Sequence, residues 1–144
     1  MTYDPKNPFA RILRGEAPCL KICENEAVLV IMDLMPQSDG HMLVLPKEPA
    51  SQIFELSDPS AEACIRAVRR VAIAARAALS PDGVVVAQLN GKAAGQTIDH
   101  VHFHVIPRWA ERPLRPHARV IAEQEKLEAI AAQIRAHLPG ESLC

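Results

Sequence analysis

Three histidines alternate with apolar residues in one short stretch of the sequence. His100, His102 and His104 occupy every second position of the segment DHVHFHVIPR, and Val101 and Phe103 stand between them. Side chains alternate across a β-strand, so a strand here places the three imidazoles on one face and the apolar residues on the other. Neighbouring α-carbons would lie roughly 6.5–7 Å apart, close enough for the rings to converge on one phosphate-sized group.

Three interpretations of this set of imidazoles remain open from the residues alone. The histidines could bind zinc, because His-x-His on a strand supplies two ligands and a third histidine completes a catalytic set. They could act at phosphorus, where one ring nitrogen attacks, donors bind the equatorial oxygens and an acid protonates the leaving group. They could also be a solvated strand face, although three of the chain's six histidines would then alternate by chance.

A glycine-rich loop, GKAAGQT, comes just before the histidine stretch. Its backbone amides and the hydroxyl of Thr97 could bind phosphate oxygens. The loop differs from a Walker A loop, because its lysine is misplaced and a strand follows where a helix would be needed. Such a turn is by itself more often a hairpin connection, but its end three residues before His100 favours phosphate binding.

Hydrophobic periodicity predicts the elements that must position these residues. They are a short helix in Phe9–Gly15, strands at Leu20–Cys23, Ala27–Asp33, His41–Leu45 and Val84–Leu89, a helix from Asp58–Pro59 to about Leu79, the histidine strand, and a C-terminal helix that includes Leu127–Leu138. The predicted fold class is α+β, with an antiparallel sheet of about five strands packed against a long central helix.

Composition limits the classes of protein that the chain can belong to. Its 144 residues fit one domain, and a net charge of −1 gives no general attraction to nucleic acid or to a membrane surface. No apolar run is long enough for a signal or a membrane span. The four cysteines are scattered, and we expect reduced thiols and a cytoplasmic location.

The segment GQTIDHVHFHVIPR resembles the signature of the histidine triad (HIT) family. Upstream, FARILRGE, Asp33-Leu34 and GHMLVLPK resemble successive blocks of that family. The resemblance covers about residues 8–108 of a single domain spanning 1–144, which leaves 109–144 as a C-terminal extension. It implies the HIT fold and a homodimer.

The resemblance also implies a mechanism. The middle histidine, His102, would attack the α-phosphorus of a purine nucleotide derivative, and water would hydrolyse the nucleotidyl-histidine to a monophosphate such as AMP. No metal or other cofactor is implied. The remaining assignments are His100, His104 and His41 for steering the phosphate and leaving group, Asn90, Gly95, Gln96 and Thr97 for phosphate contacts, and Phe9, Ile12, Asp33 and Leu34 for the nucleoside, with Asp33 on the ribose hydroxyls.

Two alternatives to this enzyme stay open. One is a zinc-dependent hydrolase that uses the three histidines as ligands. The other is a nucleotide-binding regulatory module without turnover. If the chain is the enzyme that the resemblance implies, adenosine phosphoramidates and dinucleoside polyphosphates are the leading candidate substrates.

The sequence departs from many bacterial relatives in two places. Where they carry ligands of a structural zinc, this chain has Asn7, Ala10 and Pro49, so we expect no structural zinc. The segment after Arg108 could bind a polyphosphate or an acidic leaving group, although a solvated loop is the simpler interpretation. Its notable residues are Trp109, Arg112, Arg115, His117 and Arg119.

Overall fold

The computed structural model describes residues 2–115, 120–139 and 144 of the chain. The helices are α1 (Pro8–Leu13), α2 (Asp58–Leu79) and α3 (Gln124–Arg135), and the strands are β1 (Lys21–Glu24), β2 (Val28–Met32), β3 (Met42–Pro46), β4 (Gly83–Gln88) and β5 (Phe103–Arg108). Short 3₁₀ turns lie at Ile53–Glu55 and Lys92–Ala94. The predicted loop residues His117 and Arg119 fall outside the described residues.

The five strands form one antiparallel sheet in the order β1-β2-β3-β5-β4. This sheet and the three helices confirm the predicted α+β class. The order places β5, which carries the end of the histidine stretch, between β3 and β4. The side chain of His104 therefore projects from an inner strand, directly opposite Leu43 of β3.

The central strands β2 and β3 are buried along their whole length because both faces of the sheet are covered. One face, which includes Val30 and Val44, packs under α2 and α3. The other face, which includes Ile31 and Leu43, packs against Phe9 of α1. Alternation along β5 puts Phe103 and Val105 in the first cluster, so His104 lies on the α1 side.

The long helix α2 ends at Leu79 as predicted and begins one residue after Ser57, which is its N-cap in place of the expected Asp58. The Ser57 side chain accepts a hydrogen bond from Ser60 N–H, and a proline occupies the first turn. Its buried residues, from Cys64 to Ala75, cover one face of the sheet. No helix in the described part of the chain is long and apolar enough to cross a membrane.

The histidine stretch is only partly a strand, which corrects the prediction. β5 begins at Phe103, and its ladder with β3 joins Phe103, His104 and Val105 to Val44, Leu43 and Met42. Beyond that point the carbonyl of Pro46 receives a hydrogen bond from the His100 ring, and Val101 N–H donates to Ala50. At His100, a hydrogen bond from the imidazole side chain therefore takes the place of the backbone hydrogen bonds of the strand.

The expectation of four reduced thiols is wrong for two of the cysteines. Cys23 on β1 and Cys144 form a disulfide with their α-carbons 5.5 Å apart. Helix α3 packs against α2 and β1, which returns the end of the chain to the start of the sheet. Cys19 and Cys64 are free thiols, and burial raises the pKa of Cys64 to about 12.

Candidate active site

A cavity of about 220 Å³ lies between α1 and the face of the sheet that carries His104. Its walls are mostly apolar, and two histidines stand at its polar end. The lining includes four residues predicted to hold a nucleoside and three predicted to act at phosphate, namely Phe9, Ile12, Asp33, Leu34, Thr97, His102 and His104. An apolar slot that ends on imidazoles suits a flat base attached to a phosphate.

The tautomer of His102 follows from its backbone contact. Nδ1 of His102 lies 2.7 Å from the carbonyl oxygen of His100, which can only accept, so Nδ1 carries the hydrogen. In the neutral ring Nε2 then carries the lone pair. Phe9 packs edge-on against this ring, with the ring centres 4.9 Å apart, and holds its plane. His102 thus has the form that a nucleophile needs.

A chain of hydrogen bonds sets the tautomers of the next two histidines. Gln37 N–H donates to Nδ1 of His41 over 3.0 Å, so the hydrogen of the neutral His41 ring lies on Nε2. That Nε2 lies 2.9 Å from Nδ1 of His104 and 3.5 Å from a carboxylate oxygen of Asp33. His104 is then the acceptor at Nδ1 and carries its own hydrogen on Nε2, a suitable donor to phosphate.

A tight turn places His41 at the start of this chain. Gly40 has φ of 85°, and a Cβ there would come within 2.5 Å of Leu79 Cδ1 and 3.2 Å of Pro107 Cγ. Only glycine satisfies both the backbone conformation and the close approach. The turn leaves the His41 side chain completely buried.

His100 is also completely buried, and it does not turn toward the cavity as the alternation predicted. Its two ring nitrogens bond to the hydroxyl of Tyr3 and the carbonyl of Pro46. Burial lowers the pKa of His100, because the charged form would lose its hydration. Two of the three alternating rings therefore line the cavity, and the third lies behind them.

The predicted phosphate residues divide into two groups. Thr97 lines the apolar cavity, and Gly95 lines a neighbouring cavity of about 300 Å³ that also includes His104. The Asn90 side chain instead accepts from Ile53 N–H and pairs reciprocally with Gln88. The buried Gln96 amide donates to Ser51 and Ile98 carbonyls and accepts from Gly91 N–H, so it braces the loop.

The residues that could hold a metal ion in this structure are not the three histidines that the zinc hypothesis proposed. Within the described ranges, the side chains that bring three ligand atoms within 4.8 Å of one another are Asp33, His41 and His104. Both nitrogens of His41 already take part in the hydrogen-bond chain. The three alternating histidines do not form such a group, since His100 bonds away from the other two.

A second cavity, of about 210 Å³, is built largely from the C-terminal extension. Its charged and aromatic lining residues are Asp39, Arg108, Trp109, Arg112, Arg115 and Lys126. Arg112 stacks 4.6 Å from the centre of the Trp109 ring. Burial alone would raise the pKa of Asp39, but hydrogen bonds from Arg115 and Lys126 outweigh it and hold that pKa low. Four cations and one carboxylate thus line this cavity, and two of the cations pair with the carboxylate.

The two cavities are connected by shared residues. The cavity lined by Gly95 lies between them and shares His104 with the apolar cavity and Gln37 with the cationic one. Arg115 N–H donates to the Gln37 carbonyl, which ties the extension to the hydrogen-bond chain of the histidines. A substrate whose phosphate contacts His104 could therefore extend in either direction.

Sequence reasoning did not find Tyr3 or Gln37. Tyr3 is separated from His100 by 97 positions, and no pattern within the first ten residues predicts that contact. Gln37 acts through its backbone, which any residue other than proline supplies. The turn signal at Gly40 was the only local sign that this loop has a fixed shape.

The five-stranded antiparallel sheet with its helices is the fold that the HIT resemblance implied. The chain belongs to the HIT domain family, whose model matches residues 14–111. It is similar to the adenosine 5′-monophosphoramidase hnt1 of Schizosaccharomyces pombe, with 35% identity over 88% of this chain and 93% of that protein.

Two further likenesses extend over most of the chain. The adenylylsulfatase HINT3 of Arabidopsis thaliana is 35% identical over 94% of this chain and 72% of its own length. A crystal structure of a Hit-like protein involved in cell-cycle regulation from Bartonella henselae superposes with a TM-score of 0.90 at 38% identity, covering 96% of this chain and all of that one.

Proposed function

We propose that the chain is a nucleotide hydrolase or transferase that cleaves at the α-phosphorus of purine nucleotide derivatives through a covalent nucleotidyl-His102. The observation that carries this proposal is the 2.7 Å contact of His102 Nδ1 with the His100 carbonyl, which gives Nε2 its lone pair. The names of two relatives, a monophosphoramidase and an adenylylsulfatase, support a nucleotide substrate.

The reaction would proceed in two displacements. Nε2 of His102 forms a bond to the α-phosphorus as the bond from phosphorus to the leaving group breaks, and the leaving nitrogen or oxygen takes up a proton from solvent water. The Nε2–H of His104 donates to the phosphoryl oxygens, whose charge grows in the transition state. Water then breaks the bond between Nε2 and phosphorus, which releases the monophosphate and restores neutral His102.

Nucleoside binding would use the apolar cavity. The base would lie between Ile12 and the sheet, and the carboxylate of Asp33 would accept from the ribose hydroxyls. Asp33 is already oriented, because its Oδ1 accepts from Met35 N–H at 2.9 Å. Phosphate would then meet Thr97, His102 and His104 at the end of the cavity.

A release assay tests the proposal and both alternatives together. Purified protein with excess chelator is given adenosine 5′-phosphoramidate, and AMP is measured for the wild type and for His102→Asn. We expect chelator-resistant release that disappears in the variant. Release that stops with chelator would favour the zinc hydrolase, and AMP binding without release from the wild type would favour a regulatory module.

Dinucleoside polyphosphates are a second candidate substrate class, and the cationic cavity favours them. A polyphosphate leaving group that passes His104 would reach Arg112, Arg115 and Lys126. The ratio of kcat/KM for a dinucleoside tetraphosphate and for the phosphoramidate tests this choice. A ratio well below one would leave the phosphoramidate as the preferred substrate.

The proposed assembly is a homodimer. β4 is an edge strand with half-exposed Val85 and Val86, and Ile65 and Ile73 of α2 are also exposed. Apolar edges of this kind are commonly covered in an assembly. Sedimentation equilibrium should give a dimer, and Val86→Lys should give a monomer if β4 forms the contact.

A cytoplasmic location also stays a proposal. The two free thiols agree with it, whereas the Cys23–Cys144 disulfide is unusual in a reducing compartment. Alkylation of the protein in intact cells, followed by mass spectrometry, would measure the oxidation state. Full oxidation of this pair would contradict the cytoplasmic location.

A further inference from the structure

Tyr3 holds one side of the buried His100 ring. Its hydroxyl oxygen lies 2.6 Å from Nδ1, while Nε2 on the other side lies 2.8 Å from the carbonyl oxygen of Pro46. A carbonyl can only accept, so Nε2 carries the hydrogen, and in the neutral ring Nδ1 must be an acceptor. The Tyr3 hydroxyl is therefore the donor, and both nitrogens of His100 are fixed.

The surroundings of His100 allow only one orientation of the ring in which both nitrogens are hydrogen-bonded. The residue is completely buried, and Tyr3 and Phe9 pack edge-on against it with ring centres 5.6 and 6.4 Å away. Rotation of the ring would leave at least one buried nitrogen unpaired, which is costly where water cannot reach.

The position of His100 matters because its backbone holds His102. His100 lies before β5, so no strand ladder orients its peptide group. The ring contacts to Tyr3 and Pro46, together with the Val101 N–H bond to Ala50, supply that orientation. The carbonyl so placed accepts the Nδ1–H of His102.

We propose that Tyr3 is a positioning residue for the nucleophile: its hydroxyl fixes His100, and the His100 carbonyl fixes the tautomer of His102. This inference rests on the proposed role of His102. Tyr3 is itself held in place, because Asn7 bonds through its N–H and side-chain amide to the Asp4 carbonyl and caps α1. The segment before α1 thereby contributes to the chemistry without touching substrate.

Tyr3→Phe removes the donor and keeps the ring. We expect kcat for the phosphoramidate to fall about tenfold, the scale of one ordinary hydrogen bond, while KM stays within about twofold. Nitrogen-15 NMR of the imidazoles supplies a second readout. The wild type should show His100 with hydrogen on Nε2 and an acceptor Nδ1, and the variant should show the Nδ1 signal shifted toward an unbonded nitrogen.

Ser57→Ala is the matched control, because it also removes one hydroxyl hydrogen bond, the N-cap of α2, which covers the face of the sheet opposite the cavity. It should lower the thermal midpoint and leave kcat and the imidazole signals unchanged. Wild-type kcat in Tyr3→Phe, or a wild-type His100 with hydrogen on Nδ1, would overturn the inference. Turnover that survives His102→Asn would instead overturn the proposed function, and the NMR signals would still report on Tyr3.

Discussion

The two cavities on either side of His104 differ in what builds them. The apolar cavity is walled by core strands and α1, whose side chains also hold the fold together. The cationic cavity is walled by residues 108–115, by the 37–39 loop and by Lys126 of α3. Trp109 supplies an aromatic plane on which Arg112 stacks, and ion pairs of Arg115 and Lys126 with Asp39 fix the geometry.

This difference separates two tasks. Walls made from the core cannot change without loss of stability, so under the proposed function the apolar cavity would hold the part that the candidate substrates share, the nucleoside and its α-phosphate. A loop can change more freely, so the cationic cavity suits the variable leaving group. The histidines at the junction would act on the bond between the two parts.

The largest effect is expected from breaking the hydrogen-bond chain at the junction. His41→Asn should keep an acceptor for Gln37 N–H but lose the donor to His104. We expect kcat to fall by about 10²-fold for phosphoramidate and tetraphosphate alike, the lower range for the loss of one donor to the oxygens of the transition state. Stopped-flow or endpoint AMP release at saturating substrate measures it.

His41→Gln is the control for this change, because its longer amide can still donate to Nδ1 of His104. It should retain more activity than His41→Asn. If the two variants lose kcat equally, or if only one substrate is affected, the hydrogen-bond chain does not serve a shared step.

A smaller, uniform effect is expected in the apolar cavity. Ile12→Ala removes three carbons from a wall without emptying the central core, since Ile12 is only partly buried. KM should rise roughly fivefold to tenfold for both substrates, with kcat unchanged, as expected for lost uniform binding. A rise for one substrate alone would mean that the nucleoside does not occupy this cavity in both.

The opposite selectivity is expected in the cationic cavity. Arg112→Ala should raise KM for the tetraphosphate about fivefold, because it removes one cation and its stacking on Trp109, and leave the phosphoramidate unaffected. Arg66→Ala, an exposed arginine on α2, is the charge-matched control. Equal effects of both variants would mean that Arg112 acts through the overall charge of the protein and not through a contact in this cavity.

The sequence predicted the apolar side of this comparison better than the cationic side. Periodicity predicted the strand that ends beside Asp33 and the strand that carries His104, and the HIT resemblance added Phe9 and Ile12; all four residues line one cavity. These residues were accessible because their spacing along the chain maps directly onto faces of strands and helices.

Contacts between distant parts of the chain were not predictable in this way. Asp39 and Arg115 are 76 positions apart, and Tyr3 and His100 are 97 apart, with no local pattern that joins either pair. The side chain of His100 shows the same limit. Alternation predicted its face, but the ladder of β5 stops before it, and its nitrogens turned to Tyr3 and Pro46.

The smallest effect on catalysis is expected from the disulfide, which touches neither cavity. Cys23 belongs to the cluster under α2 and α3, on the face of the sheet opposite the apolar cavity. Cys144→Ser should therefore leave both KM values and kcat unchanged.

It should lower the free energy of unfolding by about 2–5 kcal/mol, because the bridge closes a loop of 121 residues and its loss frees the unfolded chain. Urea unfolding of the oxidised wild type, the reduced wild type and the variant measures this. A loss of activity in both the reduced wild type and Cys144→Ser would contradict this prediction. It would mean that the bridge also supports the face of the sheet that carries the apolar cavity.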